Sequence, residues 1–141
     1  EVWAARQRGV LFDTGHGMTS FSFAVAEVAI AQGFLPDTIS TDQYARHVGS
    51  VPQHDLPRTM AKLLAAGMDE TEVLARATGR PAAVLGLEGE VGCMTPGACG
   101  DLTVLRWRED GQLVDVEGAG RPGGCWEAAL TVRAGEIVET N

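Results

Sequence analysis

The 141 residues carry 19 acidic against 11 basic side chains, a formal net charge of −8, with 18 glycines and few aromatics. That balance argues against nucleic acid or an anionic membrane as the main partner, since both demand basic patches. No apolar run approaches the roughly 20 residues that span a bilayer, and the length suits one domain with a real core.

Three cysteines, Cys93, Cys99 and Cys125, are odd in number and loosely spaced, so free thiols are expected rather than a disulfide framework or a zinc ribbon. With no basic-then-apolar leader the expected compartment is the cytoplasm. The first residue is Glu1 rather than methionine, and the sequence reads as one processed or cut from something longer.

In chain order, residues 1–8 read as the end of a helix, with Arg6 and Arg8 as a cationic last turn and Gly9 as its stop. Val10-Leu11-Phe12 has the composition of a buried parallel strand. It opens residues 11–42, the stretch around which the chain is organised. Gly15 and Gly17 flank His16, which lets the backbone turn sharply and approach a ligand. Residues 19–32 are expected to be helical, capped by Thr19 or Ser20, with Phe21, Val25, Val28 and Ala29 on one face and Gly33 at the end. Thr38-Ile39-Ser40-Thr41 is β-branched enough for a second strand, closed by Asp42. Strand, helix and strand make a right-handed βαβ unit. Its two strands deliver His16 and Asp42 at their carboxyl ends, where parallel α/β folds gather ligands and catalytic groups.

Residues 43–54 show no period and read as a long loop, a pocket wall by its position. Tyr44 and Arg46 are pocket candidates on that ground, and His47 and His54 are expected to be solvated. Asp55 caps a helix carrying Leu56, Met60, Leu63 and Leu64, which Gly67 stops. Residues 69–72 form a capping box for the next helix, expected to bury Val73, Leu74 and Ala77; Glu70 and Glu72 are thereby a helix start, not a catalytic dyad. Arg80-Pro81 opens a short helix that runs to Leu85 before Gly86. From residue 88 the helical period vanishes. Residues 102–107, 112–116, 129–132 and 137–138 read as short strands of a β module.

Read together, these pieces resemble the end of an amidohydrolase-superfamily metallohydrolase, in the branch of dihydroorotase-like amidohydrolases and deacetylases. The resemblance is carried by Phe12-Asp13-Thr14-Gly15-His16-Gly17, by Ser20-Phe21-Ser22-Phe23, and by Gly33-Phe34-Leu35-Pro36-Asp37-Thr38-Ile39-Ser40-Thr41-Asp42. Ala77-Thr78-Gly79-Arg80-Pro81-Ala82 resembles the helix-starting T-x-N-P-A of that superfamily. Gly97 through Val104 resembles its G-x-x-A-D-hydrophobic turn, with Gly100 in place of the usual alanine.

The resemblance implies an α/β fold: the C-terminal part of a (β/α)8 TIM barrel across residues 1–87, and part of a small accessory β-sandwich across residues 88–141. Residues 10–16 would be the seventh barrel strand and 38–42 the eighth. The intact enzyme would hold one or two divalent metals, zinc by preference. A metal-held hydroxide would attack an amide, cyclic amide or acyl-ester carbonyl of a small molecule. Asp42 would be both metal ligand and proton shuttle, and His16, with Gly15 and Gly17, would lie on the substrate side. The His-x-His, lysine and further histidines that complete such a metal site precede the seventh strand, so a missing N-terminal barrel portion is the implied partner, and a homo-oligomer stays open.

From the residues alone, other readings stand beside this one. Asp42 could be an N-cap or turn carboxylate, and His16 could be a substrate contact, a metal ligand or a packing residue; Asp13 is expected to orient His16 or a backbone group. A dihydroorotase-type cyclic amidohydrolase and an inactive structural fragment are the rival functions. A dinucleotide-binding unit is disfavoured, because Gly15-His16-Gly17 lacks the third glycine.

Overall fold

The computed structural model describes residues 1–16, 20–50, 53–109 and 111–138. Helix α1 (Val2–Gln7) leads to strand β1 (Asp13–Gly15), helix α2 (Phe23–Ala31) and strand β2 (Thr38–Ser40). A 3-10 turn (Ala45–His47) precedes helices α3 (Leu56–Ala65), α4 (Glu70–Ala77) and α5 (Gly79–Leu85). Strands β3 (Leu102–Arg108), β4 (Gln112–Val114), β5 (Gly120–Pro122), β6 (Cys125–Arg133) and β7 (Glu136–Val138) follow.

β1 and β2 pair in parallel across the α2 crossover, as the βαβ reading requires. The antiparallel sheet is ordered β3-β6-β7, and β4 pairs separately with β5. β5 was not foreseen, and β6 is longer than the expected strand at 129–132.

α3 is the central element. It packs on β2 from one side and β6 from the other, which is why five consecutive residues, Thr59 to Leu63, are buried. The core joins Phe21, Phe23, Ile39 and Val73 to Met60 and Leu63 of α3 and to Leu113, Cys125 and Trp126 of the β module. Each fully buried side chain of this size contributes about 1.5–3 kcal/mol relative to exposure.

The helix boundaries follow local chemistry. Asp55 Oδ1 accepts the Arg58 N–H at 2.9 Å, and Asp69 Oδ1 accepts from Thr71 N at 2.9 Å and Glu72 N at 3.3 Å. Gly86 ends α5 at a φ of +71°, a left-handed conformation that favours glycine. α1 is tied down by Arg6, which donates to Leu35 O at 2.6 Å and to Asp37 Oδ2 at 3.1 Å and lies over the Phe34 ring.

Four expectations are corrected. The paired strand is Asp13–Gly15 rather than the apolar run before it, and Val10 and Leu11 are exposed. Phe12 is instead held by Asp37, whose Oδ2 accepts its N–H at 2.8 Å. On α2, Val25 and Val28 face outward at 69% and 57% exposure, while Phe23, Ala26 and Ile30 face the core. That helix is apolar on most sides, so periodicity cannot choose its inner face. Leu74 of α4 is likewise exposed.

The fourth concerns the start of α2. It begins after Ser22, beyond Ser20, and the expectation for Thr19 lies outside the described residues. The Ser22 side chain makes no capping bond; Asp115, in the loop after β4, accepts the Phe23 N–H at 2.9 Å. Arg121 on β5 adds a two-pronged bond to Glu27 of α2, at 2.6 and 3.0 Å. The β module is thus fastened to the βαβ unit by side chains as well as by the shared core.

Candidate functional site

The register Asp13↔Thr38, Thr14↔Ile39, Gly15↔Ser40 sets the carboxyl ends of β1 and β2 side by side. Thr38 and Ser40 donate their hydroxyls to the two oxygens of Asp13, at 2.6 and 2.5 Å. Asp13 therefore clamps the strand pair through two side-chain hydroxyls, where the sequence suggested that it orients His16 or a backbone group.

Asp42 stands two residues beyond β2. A β-carbon built on Gly15 would lie 3.1 Å from Asp42 Cβ, so glycine at position 15 leaves the room Asp42 occupies. The Asp42 backbone is left-handed, with φ at +47°. Non-glycine residues adopt that region seldom, and aspartate more readily than most. Its side chain is exposed, and among the described residues the carboxylate enters no hydrogen bond or ion pair. It is thus an available oxygen donor at a strand end. Gly17 lies outside the described residues.

His16 turns inward. It is 5% exposed and stacks on Phe21, with ring centroids 5.8 Å apart. Its Nε2 meets the Lys62 ammonium, and its Nδ1 lies 3.3 Å from His54 Nδ1. Lys62, on α3 and 3% exposed, also donates to the Val114 carbonyl at 2.5 Å.

A protonated lysine has no acceptor to offer, so His16 Nε2 must accept. His16 then carries its proton on Nδ1 and donates it to His54 Nδ1, which leaves the His54 proton on Nε2. One cation thereby orders two imidazoles into a directional chain. Burial, then the charge of Lys62, holds the His54 pKa below the ordinary histidine value, which keeps that ring neutral. Burial also pulls Lys62 down to about 8, with Arg58 adding to the effect and Asp115 opposing it.

His47 is 2% exposed and lies with its ring centroid 5.6 Å from that of His54. It accepts from Arg46 Nε at 3.0 Å, and the Arg46 guanidinium lies over the exposed Tyr44 ring. The loop histidines are therefore packed rather than solvated, because the 3-10 turn folds His47 back towards His54. Lys62 was missed in the sequence. Its only signal there is a lysine bracketed by Met60, Ala61, Leu63 and Leu64, and its partners lie 46 and 52 positions away.

Among the described residues no group of three or more His, Cys, Asp or Glu side chains could hold a metal ion. A catalytic zinc takes at least three protein ligands. Asp42 fits such a site as one contributor, an accessible carboxylate with both oxygens open, and not as a site by itself.

No protein-family model matches the chain. It is 39% identical over 121 residues, 85% of its length, to a deacetylase of Enterococcus faecalis. It spans 32% of that protein, so about a third of the curated relative's length is represented. Its structure matches that of an adenine deaminase with a TM-score of 0.87 and 35% identity, covering 98% of this chain and 38% of that one. It also matches a dihydroorotase with a TM-score of 0.81 and 35% identity, covering 97% of this chain and 37% of that one.

Proposed function

This chain is a relative of the amidohydrolase-superfamily hydrolases, and on that premise we propose that it is the portion of a metal-dependent deacetylase-type enzyme that carries the proton-shuttling aspartate. β1 and β2 serve as the seventh and eighth strands of a (β/α)8 barrel, and residues 88–141 contribute to an accessory β-sandwich. The likeness to a deacetylase at 39% identity favours cleavage of an N-acyl amide or acyl ester over a cyclic amide.

One observation carries this reading. Two parallel strands, joined by a helix, end side by side, and the open carboxylate of Asp42 stands where the glycine of the neighbouring strand makes room for it. Active sites of barrel enzymes lie at that end of the strands.

When bound, the divalent metal, zinc by the resemblance, activates water and polarises the carbonyl. Asp42 supplies one oxygen ligand. It also accepts the proton of the attacking water and delivers it to the leaving amine or alkoxide, as a carboxylate within hydrogen-bond reach of both can do. Gly15 and His16 lie on the substrate side. Lys62 fixes the His16 ring, so this side is positioned before substrate arrives.

The remaining ligands belong to sequence outside these 141 residues, and the chain on its own is expected to be catalytically silent. The exposed apolar side chains Val2, Trp3, Val25 and Val28 support this, as a surface suited to being covered by more protein. The test uses the full-length protein: chelation should abolish hydrolysis of N-acyl amino acids or aryl acetates, and zinc should restore it. Hydrolysis indifferent to chelation would sink the reading.

A further inference from the structure

Between α3 and the β4–β5 hairpin lies a cavity of about 300 Å³, lined by Lys62, Arg58, His54, His16, Gln112 and Asp115 among others. Its hydrogen-bond donors outnumber its acceptors. The Lys62 ammonium has three protons, of which His16 Nε2 and Val114 O take two. The Arg58 guanidinium has its Nε buried and without a hydrogen-bond partner among the described residues. The chain of imidazoles leaves His54 with a proton on Nε2 and no charge.

The carboxylate on this wall, Asp115, is already committed. Its Oδ2 accepts from Phe23 N, and its Oδ1 from Glu117 N at 2.9 Å and Ala119 N at 2.8 Å. Two cations therefore face one carboxylate whose oxygens are taken by backbone donors. In a chain of net charge −8, such a concentration of positive charge in a recess stands out.

We infer that this cavity binds the carboxylate of a small molecule, gripped by the Arg58 guanidinium and the Lys62 ammonium, with the His54 Nε2–H as a further donor. A carboxylate matches the fork of an arginine with two parallel bonds. Its single negative charge balances the surplus of one cation over Asp115; a dianionic phosphate would leave one charge uncompensated. The volume is at the low end of the range for small-molecule sites, about 300–1,000 Å³, which restricts the ligand to a few carbons beyond the carboxylate. The cavity shares His16 and Lys62 with the substrate side proposed above but does not include Asp42, and the inference rests on the cavity's own charges and geometry.

The test is calorimetric titration of the full-length protein with propionate at pH 7 and constant ionic strength, with chloride and inorganic phosphate as comparison anions. Saturable binding of propionate, weaker for phosphate and absent for chloride, is expected. Arg58→Gln, at a half-buried position, should keep the far-ultraviolet spectrum and weaken propionate at least tenfold; Lys62→Met should do the same. Propionate that binds no better than chloride, or that binds Arg58→Gln as tightly as the native protein, would overturn the inference.

Discussion

The carboxylate of Asp115 accepts the backbone N–H of Phe23 at 2.9 Å across 92 positions of sequence. It does for α2 what an N-cap side chain usually does from within the helix, because the local candidate, Ser22, makes no such bond. The first turn of the helix and the β module are therefore one unit of stability.

Asp115→Ala should lower the thermal midpoint by several degrees, through the lost cap and the backbone donors left unpaired. The backbone bond from Phe23, ahead of those from Ala119 and Glu117, holds the Asp115 pKa below the usual aspartate value. A carboxyl depressed in the folded state stabilises fully above its unfolded pKa, and that contribution fades as pH falls through the folded one. The gap in midpoint between native protein and Asp115→Ala should thus be widest near neutrality and shrink below about pH 4.

Lys62 gives a slope of the same sign in an alkaline window. Its folded pKa, about 8, lies below the ordinary lysine value, chiefly through burial. Between about pH 8 and the unfolded lysine pKa near 10.4 the unfolded chain binds more protons than the folded one, so this group raises stability as pH rises. The charges that bear on it are Arg58, Asp115 and Cys125, the last a thiol that burial pushes up, and His16 and His54 also face it. The urea midpoint of native protein minus that of Lys62→Met should increase across this window. A flat difference would show that Lys62 is not buried as a cation.

Gly15 tests the geometry of the strand ends without touching a titrating group. Its backbone is not left-handed, so alanine carries no conformational penalty there, but the new methyl would stand 3.1 Å from Asp42 Cβ. Gly15→Ala should leave the thermal midpoint within a few degrees and lower kcat about tenfold, as small displacements of reacting groups do. Comparing kcat with the melting curve separates displacement of Asp42 from loss of fold.

Local chemistry made much of this fold legible in sequence. The Asp55 and Asp69 caps, the Gly86 stop, the β2 strand and the resemblance on residues 12–17 and 33–42 all rest on neighbours a few positions apart. What stayed hidden depends on distant partners. Asp115 caps a helix from another part of the chain, Lys62 finds its acceptors far away, and the inner face of α2 is chosen by Phe23 packing into a core that includes Leu113. The burial of His47 and the half-burial of His54 were hidden for the same reason, since a loop without period gives no sign of folding back on a histidine 38 positions from His54. Asp42 was readable as a strand-end carboxylate, but its left-handed backbone and its contact distance to Gly15 were not.

The central claim is that Asp42 moves the proton in a metal-dependent hydrolysis. The most direct measurement is kcat for an N-acyl substrate in the zinc-loaded full-length protein, native against Asp42→Asn, with zinc content and melting curve determined for both. Loss of a general acid–base group costs about 10²–10⁴-fold, and the account predicts a drop in that range with zinc retained and the fold unchanged. An Asp42→Asn enzyme that keeps its zinc and turns over within a few-fold of native would contradict it.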